Sequence, residues 1–174
     1  FNNMSRSGNI LGTYGESTEI KIYNNTFTNI NYNAVAVYAD NNQNYVISNN
    51  TFFNVSTGIR ASGENLTVND NLIDECGWTE SAGYVGGCIT IAGGYSYRHD
   101  NITVSRNTIT NPYQVGIIIG TANVIWGNVS IHENTISGEE GYYGIFFTSS
   151  NYEYRPNNVQ IFRNNVSVLS LIHI

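Results

Sequence analysis

Basic residues are scarce in this chain: one Lys and six Arg face thirteen acidic residues across 174 positions, a formal net charge of −6. That balance argues against a surface that tracks nucleic-acid phosphates, so no nucleic-acid partner is expected. It also repels polyanions at long range unless a local basic patch or a divalent cation offsets the field. No apolar run approaches the roughly eighteen residues of a membrane-spanning helix, so no membrane span is expected. Also missing are a zinc-spaced Cys/His cluster, a phosphate-cradling Gly loop and a nucleophile elbow. Phe1-Asn2-Asn3 begins with neither an initiator Met nor a signal peptide, which suggests an internal fragment. Leu169 to Ile174 turn abruptly apolar and read as a cut strand or a non-native tail.

Asn takes the place of these residues, at 28 positions, alongside 17 Gly and 13 Tyr. This is a turn-rich β composition. With 41% hydrophobic and 11% charged residues the chain is globular and fits one domain over 1–174.

Self-similarity sets the fold. Ile20-Lys-Ile-Tyr-Asn-Asn-Thr-Phe27, Tyr45-Val-Ile-Ser-Asn-Asn-Thr-Phe52 and Leu66-Thr-Val-Asn-Asp-Asn-Leu-Ile73 share one template. Ile102-Thr-Val-Ser-Arg-Asn-Thr-Ile109, Val129-Ser-Ile-His-Glu-Asn-Thr-Ile136 and Val159-Gln-Ile-Phe-Arg-Asn-Asn-Val166 repeat it. In every copy, residues five and three before a fixed Asn are apolar or aromatic, and the residue two after it is Phe, Ile or Val. The fixed residues are Asn25, Asn50, Asn71, Asn107, Asn134 and Asn164. Because side chains alternate faces along a strand, each copy reads as a short strand, a bend and a second short strand. A third run follows in several copies: Ala34–Tyr38, Gly58–Ala61, Cys88–Ile91, Gly116–Ile119 and Gly144–Phe147. Three short strands per repeat, with no helix between them, form one coil of a β-solenoid. Stacking about six coils aligns the Asn side chains into a hydrogen-bonded ladder. An immunoglobulin-like sandwich is a poorer fit, because it does not repeat one motif six times.

These repeats, over roughly residues 18 to 168, resemble the right-handed parallel β-helix of the pectate-lyase-like superfamily. The resemblance implies an all-β fold in which the strand before each Asn is the second of its coil, the strand after it the third, and the Gly-Ile run the first. It also implies a binding cleft over the first strand, flanked by the variable turns.

Coil length varies as 25, 21, 36, 27 and 30 residues. The insertions carry both Trp and eight of the thirteen Tyr, and loops on a rigid scaffold are where function resides. Aromatic faces beside carboxylates and Arg suit sugar rings. The candidate glycan-binding residues are therefore Tyr38, Arg60, Trp78, Tyr97, Arg98, Tyr113, Trp126 and Tyr142. Simple packing of the aromatic residues onto the solenoid explains them equally well. A glycoside hydrolase needs two carboxylates, about 5 Å apart for retention or up to about 9 Å for inversion. Glu80, Asp100, Glu139 and Glu140 are candidates for these, with His99 as a candidate base; solvated surface acids are the plainer reading. A lyase needs a base beside a neutralised carboxylate, and calcium would be its cation; no other cofactor is expected. His132 reads as solvated surface. Cys76 and Cys88 bracket the longest insertion, either bridged in an oxidising compartment or with Cys88 a buried thiol. Eight Asn-x-Ser/Thr sequons, at Asn3, Asn24, Asn49, Asn54, Asn65, Asn101, Asn128 and Asn165, fall mostly within the repeat template.

Two readings stand at this level: a secreted or cell-surface monomer that binds and cleaves a polysaccharide, as a glycoside hydrolase or lyase, or a noncatalytic structural, adhesive or glycan-binding solenoid. The expected outward row on the first strand, Tyr38, Arg60, Thr90, Ile118 and Phe146, holds one charge. That favours stacking over acid–base chemistry.

Overall fold

A computed structural model of the chain describes residues 2–4, 11–14, 19–38, 44–78, 86–91, 98–120, 125–139, 141, 143–148, 158–168 and 172–173. Side chains are described for all of these except 2–4, 11–14, 36–38, 98–99, 125–126, 148 and 172–173. Each copy of the motif forms strand, bend and strand. The strands before the ladder Asn are Glu19–Tyr23, Asn44–Ser48, Leu66–Asn69, Ile102–Ser105, Asn128–His132 and Asn158–Phe162, and they build a 6-stranded parallel sheet. Third strands such as Leu72–Cys76 and Thr108–Pro112, and first strands such as Gly87–Ile91 and Val115–Gly120, stack in the same way. Thr26–Tyr38 and Thr51–Ser62 run unbroken from third strand into first, which joins those two faces into a 12-stranded sheet. Ile172–His173 pairs in parallel with Ile145–Phe146 and continues the first-strand stack.

The inward-facing residues stack apolar on apolar from coil to coil. Ile22, Ile47, Val68, Val104, Ile131 and Ile161 align inside the second sheet. Phe27, Phe52, Ile73, Ile109, Ile136 and Val166 align inside the third. Phe27 and Phe52 stack 4.9 Å apart at 6°. Inner faces are fully buried on all three strands for about four turns, while Val159, Ile161 and Val166 are only partly covered.

The bends explain the Asn. The residue before each ladder Asn is left-handed: Asn24, Asn49, Asp70, Arg106, Glu133 and Arg163 have φ between 52° and 58°. Such backbone is unfavourable for a residue with a Cβ, so something must hold it. The ladder does so. Each ladder amide nitrogen donates to the next Asn Oδ1 at 2.9–3.1 Å, from Asn25 through to Asn164. The same oxygen also accepts the backbone N–H of the Asn below at 3.0–3.1 Å. Asn50, Asn71, Asn107 and Asn134 are at most 2% exposed, and buried amides survive only when satisfied in this way. Outside the ladder, the last four left-handed residues, Asp70, Arg106, Glu133 and Arg163, form a column of alternating charge. Arg106 grips Asp70 through Nε and Nη2, both at 2.8 Å, and Arg163 lies 3.5 Å from Glu133. Arg106 holds the Asp70 carboxyl below its usual range, chiefly by hydrogen bonding. No helix among the described residues is long and apolar enough to cross a membrane.

Candidate functional site

A second left-handed column lies four residues after the ladder, at Asn29, Asn54, Glu75 and Asn111, with φ between 50° and 55°. These bends fall where each third strand turns towards the first. Where the insertions lengthen, the bends open into a cavity of about 310 Å³ lined by Glu75, Asn111, Tyr113 and Glu139. Tyr113 presents an open ring, 41% exposed, beside two carboxylates and an amide. Asn111 is steadied by Asp74, whose Oδ1 accepts its Nδ2 at 3.0 Å and the Thr110 hydroxyl at 2.6 Å. The next coil has Gly138 at this level, where a Cβ would come within 2.9 Å of Pro112; its absence lets Glu139 follow close against the wall.

A disulfide lies next in sequence to Glu75. Cys76 and Cys88 are bonded and both fully buried, which settles the two alternatives for Cys88. Pro112 lies opposite Cys76 in register, and the Tyr113 N–H donates to the Cys76 carbonyl at 2.8 Å. The bond therefore anchors the backbone that carries Tyr113 and follows Glu75.

Of the residues expected from sequence, Tyr113 and Glu139 come together here. Asp100 is engaged elsewhere: its Oδ1 accepts the backbone N–H groups of Asn101 and Asn128, at 2.9 and 2.8 Å, and the Asn128 amide at 3.2 Å. Its carboxylate lies where a side chain at Gly127 would have to go. Trp78 is half-buried, and its carbonyl accepts the Ser56 hydroxyl. Arg98 and His99 form a short strand that pairs with Ile125–Trp126, and side chains are not described there or at Tyr38. Glu80, Tyr97, Glu140 and Tyr142 lie outside the described residues. Among the described residues no group of three or more His, Cys, Asp and Glu could hold a metal ion.

The outward row on the first strand needs one correction. Arg60, Thr90, Ile118 and Phe146 are in register as expected, but the residue opposite Arg60 is Ala36, while Tyr38 pairs with Ser62. Between Ile30 and Asn33 this strand carries one residue more than its partner does between Val55 and Thr57, so Ala36 faces Arg60 and Tyr38 lies two residues beyond that row. Ile118 is only 4% exposed and lies over Gly87, and Tyr143 stacks on Phe146 at 5.0 Å. The Arg60 Nε is buried, with no hydrogen-bond partner among the described residues. This face is more apolar and more covered than its sequence suggests. His132 also differs from a solvated residue: it is half-buried and stacks on Phe162 at 4.8 Å.

A family model described as a right handed beta helix region matches residues 1–136. The chain belongs to that family. No curated protein matches the chain, and no solved structure does. The resemblance to the pectate-lyase-like superfamily agrees with this membership. Sequence reading of this β-helix missed Glu75 and Asn111, although a signal was present. Counting four residues past the first four ladder Asn gives Asn29, Asn54, Glu75 and Asn111, a polar column that ends where Gly138 and Val168 take the same position.

Proposed function

We propose that this β-helix protein binds an extracellular polysaccharide in the cavity between Glu75, Asn111, Tyr113 and Glu139. The observation that carries the reading is the open Tyr113 ring set between two carboxylates and an amide. A pyranose stacks its C–H face on such a ring while its hydroxyls donate to the carboxylates and exchange hydrogen bonds with the amide. Export is supported by the Cys76–Cys88 bond, since structural disulfides persist in oxidising compartments. Two carboxylates in one cavity also suit glycosidic-bond hydrolysis, with one protonating the leaving oxygen and the other serving as nucleophile or activating water.

The test is a glycan array and a polysaccharide-degradation screen on the chain, beside Tyr113→Ala, Glu75→Gln and Glu139→Gln. Tyr113→Ala is expected to weaken binding about tenfold, the size of a lost aromatic contact. If the chain cleaves its ligand, either Gln variant is expected to slow cleavage by roughly a hundredfold or more while sparing binding. Binding without cleavage makes the module a noncatalytic glycan scaffold. Binding that all three variants retain at full strength removes the cavity from the reading.

A further inference from the structure

The eight sequons are not equivalent once the coil is built. Asn54 Nδ2 donates to Asn29 Oδ1 at 2.9 Å, and Asn101 Nδ2 donates to Asn65 Oδ1 at 3.1 Å. Both hydrogens of Asn128 Nδ2 are engaged, by Asp100 Oδ1 and by Asn101 Oδ1. The four sequon residues among these, Asn54, Asn65, Asn101 and Asn128, belong with Asn29 and Asn158 to side-chain columns that tie one coil to the next. Asn24, Asn49 and Asn165 differ. Each is exposed, and among the described residues none has a side-chain hydrogen bond. Asn24 and Asn49 occupy the left-handed bend, on the outer side of the ladder, where the column continues as Asp70, Arg106, Glu133 and Arg163. That edge is solvated along its length, and no sequon residue lines the Tyr113 cavity.

We infer that Asn24, Asn49 and Asn165 are N-glycan acceptor sites, and that the glycans clothe the ladder edge while the cavity stays bare. The disulfide is the independent observation that puts the chain in a compartment where such transfer occurs. In the reaction the amide Nδ2 forms a bond to the anomeric carbon of a lipid-diphosphate-linked oligosaccharide. The C–O bond to the diphosphate breaks, the lipid diphosphate leaves with the bonding pair, and the amide gives up one proton. At Asn24, Asn49 and Asn165 this proton comes from an exposed amide with no side-chain hydrogen bond among the described residues. At Asn128 it comes from an inter-coil bond, and at Asn54 and Asn101 the glycan must displace the neighbouring coil's side chain. The assignment stands apart from what the cavity binds.

The experiment is secretion of the full chain from a glycosylating yeast, enzymatic release of glycans in heavy-oxygen water, and peptide mass spectrometry at each sequon. Label is expected at Asn24, Asn49 and Asn165, with little at Asn54, Asn101 and Asn128. Thr26→Val, Thr51→Val and Ser167→Ala together remove those sequons and keep every bend Asn, so the glycosylated mass is expected to fall by the glycans of these three sites without loss of secretion. Occupancy at Asn54, Asn101 and Asn128 equal to that at the three sites overturns the assignment. So does a bare wild-type chain secreted beside a glycosylated control protein.

Discussion

Asn107 concentrates the logic of this fold in one side chain. Its Oδ1 accepts both the backbone and the side-chain N–H of Asn71, and its Nδ2 donates to Asn134 Oδ1, the Val68 carbonyl and the Ser105 carbonyl. Asn107→Ala leaves several buried groups without partners, each costing about 1–3 kcal/mol. A loss of about 3 kcal/mol or more is expected in urea unfolding, with the midpoint falling and the slope unchanged. Asp70 acts more weakly and through pH. Because its folded pKa is lowered, its contribution is present above the unfolded value of about 4 and fades as pH falls through the folded one. Exposed pairs are worth less than about 1 kcal/mol. Asp70→Asn is therefore expected to lower stability slightly at pH 7 and to flatten the acid limb of a stability–pH curve below about pH 4. An unchanged acid limb removes Asp70 from that account.

Among the elements, the stretch from Leu72 to Ile91 is where packing and site meet. The Cys76–Cys88 bond closes a loop of sequence separation 12, and closing a loop of this size stabilises by about 3 kcal/mol in the chain-entropy view. Cys76→Ser/Cys88→Ser is expected to lower the Tm by roughly 6–12 °C at this chain length. Glycan binding is expected to weaken as well, because Tyr113 hangs from the Cys76 carbonyl. A variant that melts early yet binds fully separates the two roles. The strands and ladder were legible in the sequence because alternation and a fixed Asn are local signals that six coils repeat. The cavity was only half legible. Tyr113 and Glu139 stand out as insertion residues, whereas Glu75 sits inside a regular strand and becomes a lining group only when neighbouring coils stack. Tyr38 was assigned to the row of Arg60, but one extra residue between Ile30 and Asn33 interrupts the alternation, and Tyr38 pairs with Ser62 instead.

For the whole molecule, charge and stacking set the behaviour. A net charge of −6 opposes anionic polymers at long range. Affinity for an anionic polysaccharide is expected to rise between low salt and about 0.5 M salt, as screening shortens that repulsion, while affinity for a neutral one stays flat. Titration calorimetry at the two ionic strengths separates these outcomes; a fall for the anionic polymer points to a local cationic contact instead. The amide columns have one further property. The inner ladder donates from each coil to the next, from Asn25 up to Asn164. The outer columns donate the other way, from Asn54 down to Asn29 and from Asn158 through Asn128 and Asn101 down to Asn65. Their dipoles are opposed, so the side-chain columns offset one another along the axis instead of adding coil by coil as peptide dipoles do along an α-helix.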